Sequence, residues 1–271
     1  MSFLSVFLFM IASVIGLSYY LGDSGTNNTS LVDRAALFFP HGQSEQEADK
    51  YELPVSKKVT VSITNINGPI KIKGIKGTTA LIKVTKRGSK KDFERIKIEK
   101  TLDKSEITLK TLHLDHDRHK VSVGYQLEVP FGADIALAKT VNGSILVQEV
   151  AGDLNIHTAN GMITCQNTSG SIEAYSVNGT VKAVVKQLRS SDTISLETIN
   201  GSLEIILPKD IQTELHAQTA VGKIKSDFDL QNQKSHFVGK KVDGILGGQD
   251  KVDSSINLKT TNGAIHIRRS K

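Results

Sequence analysis

The sequence predicts an all-β chain wound as a solenoid, and three features predict it. Glycine returns every nine residues between positions 140 and 183, at Gly143, Gly152, Gly161, Gly170 and Gly179. Two places after each glycine stands a branched apolar residue (Ile145, Leu154, Ile163, Ile172, Val181), and four places after it a small or apolar one (Val147, Ile156, Cys165, Ala174, Ala183). That is burial of one face at strand period. The chain also has no tryptophan, 5% aromatic residues and 22 glycines, which suits thin stacked sheets better than a bulky core.

Every second glycine follows an asparagine, as in Thr140-Val141-Asn142-Gly143, Thr158-Ala159-Asn160-Gly161 and Ser176-Val177-Asn178-Gly179. The larger unit is therefore eighteen residues in two halves. Later copies are Thr198-Ile199-Asn200-Gly201 and Thr260-Thr261-Asn262-Gly263, with a degenerate one at Thr219-Ala220-Val221-Gly222; an earlier copy ends at Asn67-Gly68. Asn and Gly tolerate positive φ, so each pair marks a place where the chain can turn sharply. Asn-Gly between alternating strands is also a hairpin signal, and an antiparallel meander fits the same turns. The constant offset of the inward residues from every turn favours the solenoid, at about 18–22 residues per coil. Ile145, Ile163, Val181, Leu203 and Ile265 then form one stacked inner ladder.

In chain order, residues 3–21 are an apolar run without a charge, long enough to cross a bilayer as a helix. Residues 1–22 are accordingly expected to be an uncleaved membrane anchor or, alternatively, a cleaved export signal, since no basic start or convincing cleavage site accompanies the run. Either places the rest of the chain outside the cytoplasm, at the membrane or secreted. Residues 23–50 read as a polar linker. The domain proper is expected over 51–271. Within it, 51–130 holds half-buried strands that begin the sheets and cap the coils, with a helical turn near residues 92–96. Regular repeats occupy 131–226, an inserted loop leaves the stack over 227–253, and 254–271 forms the last coil. Arg268 and Arg269 there would protect an open sheet edge by charge.

Charge is unevenly placed. The chain carries net +6, yet residues 50–120 hold 18 Lys and Arg against 8 Asp and Glu, a net +10, so the repeats are mildly acidic. Lys83, Lys86, Arg87, Lys90 and Lys91 lie within one short span and are the candidate ligand-binding residues. A solvated strand face is the plain reading of such lysines; a face for an anionic envelope polymer, phosphorylated or uronic-acid, is the functional one. No specific nucleic-acid partner is expected.

Other chemistry finds little support. His113, Asp115, Asp117 and His119 would share one face of an extended strand, an N/O donor set for a divalent transition metal. Their spacing matches no established metal motif, and a polar loop between two strands explains them as well. Cys165 stands alone at an inward position, so neither an internal disulfide nor a cysteine metal cluster can form. The turns lack the paired glycines and aspartates of calcium-binding β-rolls. His157, His216 and His266 fall at different offsets, and no nucleophile elbow or phosphate-binding loop is present. No cofactor is expected, and a polysaccharide-cleaving enzyme with carboxylates along an outer groove is the alternative to a binding scaffold.

The repeats resemble the bacterial putative-adhesin family, a domain of unknown function with Thr-x-Asn-Gly-x-Ile units. The resemblance covers residues 51–271 and rests on Thr64-Asn65-Ile66-Asn67-Gly68-Pro69-Ile70, Leu127-Glu128-Val129-Pro130-Phe131-Gly132 and the Asn-Gly turns through Thr261-Asn262-Gly263-Ala264-Ile265. It implies an exported or membrane-tethered envelope β-solenoid without established catalytic residues, and points to binding without naming a ligand; a protein partner or anionic glycan bound along the long repetitive face is the reading of the coils themselves, which carry no convergent titratable groups. Val221, in place of the repeat's asparagine, and the basic region depart from the pattern.

Overall fold

The computed structural model describes residues 45–114, 121–229, 231–234, 240–247 and 253–270. The chain opens with β1 (Glu45–Pro54), β2 (Thr60–Thr64), β3 (Ile70–Ile75) and β4 (Thr79–Gly88), a one-turn helix α1 (Lys90–Phe93), then β5 (Ile96–Leu102), β6 (Glu106–His113) and β7 (Ser122–Pro130). The helix starts where Ser89 caps it, its Oγ accepting from the Asp92 N–H, and buries Phe93. Regular coils follow: β8 (Asp134–Asn142) with β9 (Ile145–Gln148), β10 (Leu154–Asn160) with β11 (Ile163–Ser169), β12 (Ile172–Asn178) with β13 (Val181–Gln187), and β14 (Thr193–Asn200) with β15 (Leu203–Leu207). The last strands are β16 (Thr213–Val221), β17 (Ile224–Ser226), β18 (Gln231–Lys234), β19 (Lys240–Leu246), β20 (Ser255–Asn262) and β21 (Ile265–Arg269).

Each coil gives one strand to each of two sheets, and the Asn-Gly turn carries the chain from one sheet to the other. The first sheet runs β1-β4-β7-β3-β9-β11-β13-β15-β21-β17 and the second β18-β19-β16-β20-β14-β12-β10-β8-β2-β6-β5. Strands flanking an Asn-Gly turn do not pair with each other. They pair in parallel with their equivalents in neighbouring coils, Leu154 with Ile172 and Ile163 with Val181, so the chain is a solenoid and not a meander. The inner ladder follows register: Tyr125, Ile70, Ile145, Ile163, Val181, Leu203, Ile265 and Ile224 lie side by side. Stacking equivalent residues is what lets thin coils share a core that no coil could bury alone. Cys165 is in that core, and burial pushes its thiol up to about 12.

The ends differ from the sequence expectation in three respects. The strand β1 begins inside the stretch read as linker, because its alternate residues Tyr51 and Leu53 pair with Ile82 and Ala80 and pack on the core. The segment over 227–253 is more than a loop, since β19 pairs antiparallel with β16, and β18 with β19, closing the second sheet. The C-terminal strands, finally, are not at the end of the stack. β20 lies between β14 and β16, and β21 between β15 and β17. Over Ile265–Ile267 the strand that carries Arg268 and Arg269 is therefore covered by β17 and is not the edge of the sheet.

At the other end β4 and β1 add antiparallel strands to the first sheet and β5 one to the second. The two edges meet where Lys100 Nζ donates to the Tyr51 hydroxyl at 2.9 Å and sits 4.3 Å from the ring centre. The strands of the basic region thus stand at one end of both sheets.

Candidate binding face

The turn residues form two hydrogen-bonded ladders along the stack. Asn142 Nδ2 donates to Asn67 Oδ1 at 2.8 Å, Asn160 to Asn142 at 2.8 Å, Asn178 to Asn160 at 2.8 Å, Asn200 to Asn178 at 2.9 Å and Asn262 to Asn200 at 2.8 Å. Two places before each asparagine from Asn142 onward a hydroxyl donates to the turn carbonyl of the adjacent coil, for example Thr158 to Gly143 at 3.0 Å, Thr198 to Gly179 at 2.9 Å and Thr260 to Gly201 at 2.9 Å. These hydroxyls are buried, and each satisfies a carbonyl that the turn would otherwise leave unpaired. The sequence exposes both ladders as fixed offsets, but their bonds appear only once the coils are stacked.

The glycines serve a different purpose from the one their reputation suggests. Of the Asn-Gly glycines only Gly68 has a left-handed φ, 119°. At Gly161, Gly179 and Gly201 a Cβ would lie 2.1, 1.9 and 2.1 Å from the carbonyl oxygen of the previous turn glycine. Close approach of stacked backbones requires glycine there.

Outward residues make two faces of opposite character. On the first sheet, cross-strand pairing sets Lys50 beside Lys83, Lys83 beside Gln126 and Gln126 beside Lys71; Lys73 lies two residues beyond Lys71, and Arg87 four beyond Lys83. Glu52 and Glu128 are the carboxylates among them. None of these five cations makes an ion pair among the described residues, and their strand parity is opposite to that of buried Ile82, Val84, Ile70 and Ile72. Toward the other end of the same face two cations are compensated, Lys182 by Glu204 at 2.9 Å and Arg268 by Glu204 at 3.2 Å, while Lys186 and Lys225 make no ion pair among the described residues. Lys225 lies beside His266 at the far edge. The outer face of the second sheet carries more acid than base: Glu99, Glu106, Asp134 and Glu173 face outward near Lys97, Lys110 and Lys139, and Glu197 and Asp243 are paired to Lys259 at 3.1 Å and Lys241 at 2.8 Å.

The five candidate cations from the sequence are therefore only partly brought together. Lys83 and Arg87 share the outer face of the first sheet. Lys86 has the opposite parity on β4, and Lys90 and Lys91 lie on α1. The partners that complete the face, Lys50, Lys71 and Lys73, come from strands that sequence proximity could not connect. Of the metal candidates, His113 ends β6, and Asp115, Asp117 and His119 lie outside the described residues.

A cleft of about 480 Å³ on the second sheet is lined by Asp134, Asp153, Asn155, Glu173 and Ser195 among others. Its carboxylates are largely committed to the backbone: Asp134 Oδ1 accepts the Asp153 N–H at 3.0 Å, and Asp153 Oδ1 accepts that of Ser171 at 3.0 Å. Beside it runs a desolvated row. Burial lowers the Lys139 and His157 pKa values, with Glu173 opposing and Lys139 reinforcing the shift at His157, and burial and Glu197 raise that of Tyr175. The rings of His157 and Tyr175 are 6.2 Å apart. Spread across neighbouring strands, these groups do not converge on one reacting point.

The architecture and the turn motif correspond to a known family, whose model, Toastrack DUF4097, matches residues 34–268. The chain belongs to the Toastrack family. Its function is not established. Among solved structures, this Toastrack chain is similar to a putative cell adhesion protein from Clostridium sporogenes, at 14% identity over 82% of this chain and 100% of that one, with a TM-score of 0.49. A putative adhesin from Bacteroides fragilis is 10% identical over 82% of this chain and 97% of that one, TM-score 0.31. One from Parabacteroides distasonis is 11% identical over 81% and 97%, TM-score 0.29. No curated protein matches the chain.

Proposed function

We propose that this Toastrack domain is a non-catalytic binding scaffold, held at the outer side of a membrane through residues 1–22, that engages an anionic envelope component through the outer face of its first sheet. The observation that carries the reading is the set Lys50, Lys71, Lys73, Lys83 and Arg87 gathered at one end of one face without an ion pair among the described residues, while Lys182 and Arg268 farther along are held by Glu204. Charges left unpaired on a rigid surface attract a polyanion over about 8 Å at physiological ionic strength. Each lysine near an anionic surface contributes about 1 kcal/mol. Replacing Lys71, Lys73 and Lys83 by Gln should then weaken binding by about two orders of magnitude.

The test is retention of the full chain on immobilised acidic and neutral polysaccharides across a salt series. Salt-sensitive retention on the acidic polymers, lost in K71Q/K73Q/K83Q and kept when Lys182 and Lys259 are replaced instead, is the expected result. Turnover of any polymer would support the polysaccharide-cleaving alternative, and salt-insensitive retention would return the lysines to an ordinary solvated face.

A further inference from the structure

Resting on that reading of the face as anion-binding, we infer that its partner is an anionic lipid bilayer, against which the solenoid lies on its side. Three observations point to a surface rather than a single polymer chain. The ten strands of the first sheet, spaced about 4.8 Å apart, extend the face about 45 Å along the stack. The cations are spread in the other direction too, since the row of Lys73 and the row of Arg87 are six residues apart along β4, about 20 Å at 3.3 Å per residue. A linear polyanion follows one row; a charged plane meets them all, including Lys225 at the far edge.

The second observation is what lies between the cations. Leu81 is 38% exposed, and Leu146, Val184 and Ile206 are half-buried on the same outward face. Aliphatic side chains ringed by lysines suit the boundary between headgroups and acyl chains. Glu52, Glu128 and Glu204 are the carboxylates that oppose this docking, and Glu204 is already held by Lys182 and Arg268. The second sheet, with its acidic outer residues, is turned away.

The third is connectivity. β1 is the edge strand of this sheet, and its first residue pairs with Gly88, next to Arg87. Glu45, the first described residue, therefore stands at the basic end of the same face, and the uncharged apolar run at 3–21 precedes it in the sequence. An apolar anchor together with a basic patch supplies the two attachments that stable membrane association takes, and once the anchor is inserted the second contact is intramolecular.

The full chain is reconstituted in bilayer discs of phosphatidylcholine alone or with added phosphatidylglycerol, and a fluorophore is placed by Gln166→Cys on the first sheet or by Gln218→Cys on the second. Both positions are exposed, and native Cys165 is buried. A nitroxide on the lipid headgroup should quench the position 166 dye several-fold more than the position 218 dye, in the phosphatidylglycerol discs alone. Each of Lys71→Gln, Lys73→Gln and Lys83→Gln should lower the docked-to-free ratio about fivefold. These side chains point to solvent, and a thermal melt checks that the variants stay folded. Equal quenching of the two positions, or independence from phosphatidylglycerol, overturns the lipid assignment. If soluble polyuronate still binds the same chain through these lysines, the face remains anion-binding with a polymer as its partner. Loss of both signals overturns the assignment and the binding reading together.

Discussion

At the residue scale the repeat is held by contacts too close for any side chain. A Cβ at Gly179 would meet the Gly161 oxygen at 1.9 Å, whereas one at Gly124 meets nothing nearer than 3.8 Å. Gly179→Ala should therefore destabilise the domain by about 1–3 kcal/mol, the usual range for overpacking, while Gly124→Ala leaves the denaturation midpoint nearly unchanged. Equal effects would mean that turn conformation, not stacking, selects glycine. His157 supplies a second test. Its Nδ1 is buried without a hydrogen-bond partner, its Nε2 faces Asn155 Oδ1, and burial holds its pKa below the ordinary 6.5. The unfolded chain takes up this proton more readily, so the contribution of neutral His157 is complete above 6.5 and is lost as pH falls through and below it. His157→Gln should flatten the acid limb of a stability-versus-pH curve and leave the alkaline limb alone. The positions of the turns were legible in the sequence from Asn-Gly spacing; the reason for glycine was not, because the oxygen it avoids belongs to a coil eighteen residues away.

At the element scale, sequence similarity identifies the coils but not their order. Val221 explains the order observed. Its strand pairs with β20, so that Val221 lies beside Asn262 and ends the asparagine ladder, while Asn262 continues it from Asn200. A coil lacking the amide can occupy the end of the stack but would interrupt the ladder inside it. Val221→Asn should extend the ladder onto Asn262 and contribute about 0.5–1.5 kcal/mol, the net worth of one hydrogen bond. Truncation after residue 247 removes an internal coil rather than a tail. It should deprive β16 and β17 of their parallel partners and expose their amides to hydrogen exchange, although both precede the cut. Retained protection in Thr213–Val221 would show that this coil can stack directly on β14 and β15. The basic face illustrates the same limit on sequence reading. The excess of lysines was visible, but Lys50, Lys71 and Lys83 become neighbours only through the β1-β4-β7-β3 pairing, which joins strands from distant parts of the chain.

At the scale of the whole solenoid, one apolar core among the described residues runs from Val55 to Ile267, yet each coil touches only the next, so cooperativity must be passed along coil by coil. That coupling is what keeps the lysine-bearing strands of one end rigidly aligned with the remainder of the face. In a one-dimensional stack the centre is held from two sides and the ends from one. Hydrogen exchange should accordingly be slowest in β10 to β14 and faster in the edge strands β1, β5 and β17. Ile163, fully buried between Ile145 and Val181, tests the coupling. Ile163→Ala should cost about 2–5 kcal/mol and lower protection in the coils on both sides, most strongly in β9 and β13. Ile98→Ala, in the edge strand β5, should loosen that cap and spare the central coils. If both variants lower protection uniformly from end to end, the solenoid unfolds as a single unit and the nearest-neighbour account of its rigidity fails.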